Sequence, residues 1–159
     1  MQIFRYTLYQ KLTENVDVLD FMDFINIFSI LIISSLLGSM LFFSFVLAPL
    51  IFIKLSPEIA GKFIRNLFPW YYLVIIICAF SGALALLIKN TVCALILLMI
   101  AFSALFLRQF LLPQINKQRD RMIEGEERAK KVFNHLHRLS VAVNFLQILG
   151  TIWVLIDLV

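Results

Sequence analysis

The chain has 159 residues, 62% hydrophobic and 15% charged, and its mean hydropathy of +0.94 lies far outside the balance of a soluble domain. That length holds one compact membrane domain. The net charge of +4 is accounted for by basic residues gathered at membrane edges, so no nucleic-acid partner is called for, and the anionic headgroups of a lipid bilayer are the expected partner.

Residues 1–23, "MQIFRYTLYQKLTENVDVLDFMD", have neither the apolar core nor the small-residue cleavage site of a signal peptide. They read as a polar, amphipathic lead-in at the interface. The rest, 24–159, reads as the transmembrane domain. A helix needs about 20 apolar residues to cross a hydrocarbon core of about 30 Å, and four runs meet that need.

Span one, about 24–53, is long enough to tilt or to pass one interface. Within it "SSLLGS" sets Ser34, Ser35, Gly38 and Ser39 in a small-residue patch where another backbone can approach. Near its end Pro49 kinks the helix and frees a carbonyl that a site can use. A connection of about a dozen residues, "KLSPEIAGKFIRN", leads to span two, about 67–88. This span opens with "FPWYY", whose Trp70, Tyr71 and Tyr72 fit an interfacial aromatic belt.

The "KN" turn makes spans two and three an antiparallel pair. It puts Cys78 roughly 12 Å deeper than Cys93, at about 1.5 Å per residue, which excludes a disulfide between them. Span three, about 91–112, carries Arg108 near its end, where a long side chain snorkels to the headgroups. Spans one and three both end in a proline followed by basic residues and a returning span, with too few matching residues to establish a duplicated hairpin.

Residues 113–138 carry Ile115, Met122, Ala129 and Leu136 at a seven-residue spacing among charges, which predicts amphipathic helix. Gly125 is the obvious breaker. The segment is either two helical arms turning there or one helix lying in the interface. Lys and Arg crowd this segment and the first connection, so both are expected on the cytoplasmic side, with both termini on the other side of a bacterial inner membrane. The fold class is all-α: an integral membrane four-helix bundle with a helical cytoplasmic extension between spans three and four.

Span four, about 139–159, carries the polar chemistry. At roughly 100° per residue His137, Ser140, Asn144, Gln147 and Thr151 fall within an arc of about 80°. A polar stripe has no partners in lipid, so it must meet other helices, a ligand or a watery cleft. The bland reading is a ladder of interhelical hydrogen bonds. The functional reading makes His137 a ligand or proton carrier with Ser140 and Asn144 beside it, in a groove to which Pro49 contributes. His137 is the candidate metal ligand, although one histidine falls short of the three or four donors of a zinc or copper site. His135 lies about 200° around the helix from it. No phosphate loop, zinc-protease helix or nucleophile elbow is present.

The Gly of span one followed by "FVLAPLIF", then "LFPWYY", "LLPQI" and "HRLSVAVN", together resemble the domain-of-unknown-function 4149 family of transmembrane protein 205-like four-span proteins, over most of residues 30–159. The family pattern His-x-x-Ser-x-x-x-Asn falls on His137, Ser140 and Asn144. The resemblance implies a small four-span protein without an assigned activity. It extends distantly to copper-resistance permeases and haem-dependent protoporphyrinogen oxidases, which brings copper and haem into question. Those oxidases carry a histidine in span one, and this chain has none there.

Three functions follow as expectations. The first is a non-enzymatic protein that binds a small ligand or metal, or serves stress tolerance, with no cofactor predicted. The second is an accessory subunit of a larger membrane complex, or a homo-oligomer. The third is a haem- or quinone-linked membrane oxidoreductase.

Overall fold

The structure, a computed structural model, describes the backbone of residues 2–158 and the side chains of residues 18–158. The expected amphipathic character of residues 1–17 lies outside the described side chains. Helix α1, Gln2–Phe42, runs through a π-helical turn, Phe43–Leu47, into α2, Ala48–Lys54. Helix α3 spans Pro57–Leu86, and α4 spans Thr91–Phe106. A second π turn, Leu107–Leu111, leads from α4 into α5, Leu112–Ile123, and α6 closes the chain at Glu127–Leu158. Four continuous helical stretches, Val18–Lys54, Pro57–Leu86, Thr91–Ile123 and Glu127–Leu158, are long and apolar enough to cross a membrane.

The two π turns have one sequence cause. Ala48 N–H bonds to the Phe43 carbonyl and Leu112 N–H to the Leu107 carbonyl, each five residues back, and a proline follows directly, Pro49 and Pro113. A proline ring collides with the carbonyl four residues earlier in a regular α-helix. Widening the preceding turn by one residue relieves that collision without ending the helix. Spans one and three therefore share a device in their second halves. Pro49 itself faces outward, so its effect on the interior comes through the turn before it, which carries Ser44.

The turns follow local chemistry. Leu55 and Ser56 are extended ahead of Pro57, the first residue of α3, whose fixed φ suits that position. At the α3–α4 turn Asn90 caps α4, its side-chain oxygen accepting from Cys93 N–H at 3.1 Å. Between α5 and α6 Gly125 takes a φ of 93°, which side-chain-bearing residues rarely adopt. Glu126 N–H then reaches the Arg121 carbonyl and Gly125 N–H the Met122 carbonyl, both at 3.1 Å, a Schellman closure. Residues 113–138 are thus two packed antiparallel arms, α5 and the start of α6, rather than one helix lying in an interface. The first connection is mostly helical. Pro57–Asn66 are the opening turns of α3, because charged residues end a membrane span without ending a helix.

Helix α1 packs on α3 and α6, and α4 packs on the same two, giving a ring of four antiparallel neighbours. Ile33, Leu36 and Met40 meet Ile75, Ala79, Leu97 and Val154 in the centre. Small residues set the closest approach: a Cβ at Gly82 would stand 3.1 Å from Ile33 and 3.2 Å from Leu97. The small-residue patch of span one plays no such part within the chain. Ser34, Ser35 and Gly38 face outward, and open space surrounds Gly38. At the end bearing the α3–α4 turn, Lys89 bonds to Asn26, and Asp157 accepts from Asn90 at 2.6 Å and from the Cys93 thiol at 3.3 Å. Cys78 and Cys93 are both free thiols.

Candidate functional site

The polar stripe of α6 meets protein along most of its length. Asn144 stands at the centre of a chain of bonds across three helical segments. The Tyr71 hydroxyl donates to its Oδ1 at 2.6 Å, and its Nδ2 donates to Ser44 Oγ at 3.0 Å. About one turn further along, Gln147 Nε2 donates to Ser103 Oγ of α4 at 2.8 Å. Ser140 and Thr151 donate to carbonyls of their own helix, those of His137 and Gln147, both at 2.8 Å. Each interhelical bond of this kind is worth about 0.6 kcal/mol on average within a membrane, and up to about 1.7.

One atom stands outside this satisfaction. Gln147 is 3% exposed, and its Oε1 is buried with no hydrogen-bond partner. Turning the amide over would exchange the orphan oxygen for an orphan NH2, so the imbalance does not depend on which way the group is placed.

His137 does not join the ladder. Its ring is exposed and lies parallel to Phe133, with centroids 5.9 Å apart. The stripe as a set of directions on α6 brings Ser140, Asn144, Gln147 and Thr151 to the bundle and leaves its first member on the arm. The aromatic trio divides likewise. Trp70 is 68% exposed, as a belt residue would be, whereas Tyr71 at 7% and Tyr72 at 4% turn into the bundle. Successive residues of a helix point about 100° apart, so three in a row cannot share one face. Tyr71 stacks on Phe43 with centroids 3.9 Å apart, and Phe68 lies against Phe43 and Tyr72.

Ser44, Ser103 and Tyr71 as hydrogen-bond partners were not found from sequence. Ser44 and Ser103 are isolated hydroxyls in otherwise apolar runs, and that isolation is the signal available. Between α1 and α6 lies an open apolar groove of roughly 420 Å³ lined by Leu37, Ile152, Leu155 and the largely exposed Ile156. It lies toward the α3–α4 turn and is apolar. Leu37 on α1 and Ser44 at the start of the π turn that continues it are seven residues apart, and Asn144 and Leu155 eleven apart on α6. Those separations are close to whole numbers of turns, so the polar pair Ser44–Asn144 and the apolar groove lie along one α1–α6 seam.

Among the described residues no group of three His, Cys, Asp or Glu side chains comes together that could hold a metal ion. His137 points away from the bundle, and span one carries no histidine to face it.

Neither a curated protein nor a solved structure matches the chain. The family match that exists ends at residue 124, short of the α6 stripe, so Ser140, Asn144 and Gln147 rest on geometry alone. Residues 31–124, more than half of this four-span membrane protein, match the family described as Domain of unknown function (DUF4149), and the chain belongs to that family.

Proposed function

We propose that this protein is a non-enzymatic membrane protein that binds a small amphiphile in the seam between α1 and α6. The observation that carries the reading is the open apolar groove between α1 and α6 in line with the Ser44–Asn144 pair. An apolar tail fills the part lined by Leu37, Ile152 and Leu155, and a polar head exchanges hydrogen bonds with Ser44 and Asn144, both half-buried. The basic end faces the cytoplasm of a bacterial inner membrane, with both termini on the other side. The surplus of Lys and Arg at that end supports this orientation.

The test is native mass spectrometry of the protein released from mild detergent. Wild type is expected to retain one amphiphile, and Ile152→Trp, which fills the groove, to lose it while melting normally. A wild-type protein that carries nothing, or a Trp variant that keeps its cargo, overturns the reading.

A second reading, an accessory subunit of a larger membrane complex, is favoured by the outward patch Ser34, Ser35 and Gly38, since open space at Gly38 suits close approach of another helix. It requires a stoichiometric partner that co-purifies with wild type and is lost in Gly38→Leu.

A further inference from the structure

Arginines cross the seam between α3 and the span-three helix, and each donates to a main-chain carbonyl on the other side. Arg108 Nε reaches the Pro69 carbonyl at 3.1 Å, Arg65 the Asn116 carbonyl at 3.4 Å, and Arg119 the Pro57 carbonyl at 3.2 Å. Arg65 also pairs with Asp120, the carboxylate of this seam. Arg108 has no such partner. The ion pairs among the described residues are Lys62–Glu58 and Arg65–Asp120. A charge in a membrane span without a counter-ion is expensive and calls for an anion from somewhere.

Depth says where the anion comes from. From Leu86 at the α3–α4 turn to Pro69, α3 climbs seventeen residues, about 26 Å at 1.5 Å per residue. The hydrocarbon core is about 30 Å thick, so Arg108 stands just inside its opposite edge. Arg65 lies one turn further along α3, about 6 Å, at headgroup level. Trp70, next to Pro69 and facing outward, suits the same interface. Because Nε is engaged by Pro69, the Arg108 guanidinium is held in place with its two Nη groups left as a fork, the geometry that meets two phosphate oxygens.

We propose that Arg108, its guanidinium held by the Pro69 carbonyl, binds the phosphate of an anionic phospholipid at the basic end of the bundle. This site is separate from the α1–α6 seam and stands or falls independently of it. Charge complementarity favours the lipid, because the arginines line an interface where bilayer phosphates are already concentrated.

The experiment is native mass spectrometry of the full chain in a neutral detergent, titrated with phosphatidylglycerol, phosphatidylcholine or inorganic phosphate. Wild type is expected to bind one phosphatidylglycerol about fivefold more tightly than phosphatidylcholine. Arg108→Gln should remove that preference, and the outlying double change Lys130→Gln, Lys131→Gln should keep it. Should Arg108→Gln fail to fold, Arg108→Lys, which keeps the charge and loses the fork, is read in its place, with a weaker preference expected. Equal binding of both lipids by wild type overturns the proposal. So does an unchanged preference in both arginine variants, an equal loss in the lysine variant, or displacement of the lipid by inorganic phosphate at millimolar concentration.

Discussion

At Asn144 a single carboxamide joins α6 to α3 through Tyr71 and to α1 through Ser44, using its acceptor for one and a donor for the other. Replacing it with Leu keeps the approximate volume but leaves the Tyr71 and Ser44 hydroxyls without their partner in a setting poor in water. Asn144→Leu is expected to lower stability in detergent by about 1–2 kcal/mol. Leu146→Ala should cost less than about 0.5 kcal/mol, because Leu146 faces outward. Thermal melting of the two variants side by side decides this, and an equal loss would mean that Asn144 is wet. Gln147 is the informative contrast. Its Nε2 bond to Ser103 is lost in Gln147→Leu, but so is an unpartnered buried oxygen, and Ser103 keeps its own bond to the Ile100 carbonyl at 2.9 Å. The two changes offset, so Gln147→Leu is expected to melt within a few degrees of wild type. A loss as large as that of Asn144→Leu would show that the orphan oxygen has a partner in the native protein.

Among the helices, glycine separates packed faces from open ones. A side chain at Gly82 meets Ile33 and Leu97 on two neighbouring helices, whereas one at Gly38 meets nothing. Gly82→Val should therefore cost about 1–3 kcal/mol by overpacking, and Gly38→Val should leave the melting temperature of the isolated chain unchanged. The small-residue patch Ser34, Ser35, Gly38 and Ser39 does not mark the close approach within the chain, and the reason is general. Small residues mark where a helix can be approached, while the rotation of each helix decides whether it is. The same limit governs the site. Four spans, the break at Gly125 and the polar arc of α6 were legible, because each depends on residues near one another in sequence. Which hydroxyls answer that arc depends on the angular phase of the other helices, and the π turn at Phe43–Leu47 inserts an extra residue into α1 just where Ser44 must be placed. Tyr71 was assigned to the belt with Trp70 by composition, where helical phase would have separated them. The charges Lys62 and Arg65 bound the apolar run of span two but not its helix, since a helix can continue through water.

The whole molecule is polarised along the bundle axis. One end carries the arms α5 and early α6 with Lys117, Arg121, Arg128, Lys130 and Lys131, together with the arginine seam. The other end carries the short α3–α4 turn, where Lys89 is held by Asn26 and Asp157 by Asn90. An anionic leaflet and the insertion bias against translocating Lys and Arg act in the same direction on such a chain, so the arms should lie in the cytoplasm and the short turn outside. With the arms in the cytoplasm, four spans would put both termini on the outer side. The consequence is tested with single cysteines in a background where Cys78 and Cys93 are replaced by alanine. Glu124→Cys at the tip of the arms should resist a membrane-impermeant maleimide in intact cells and react once the membrane is opened, whereas Lys89→Cys should react at once. The reverse pattern would invert the protein and place the arginine seam on the outer leaflet. Labelling of both sites in intact cells would mean that the chain inserts in two orientations, and the charge asymmetry would then be too weak to fix its direction.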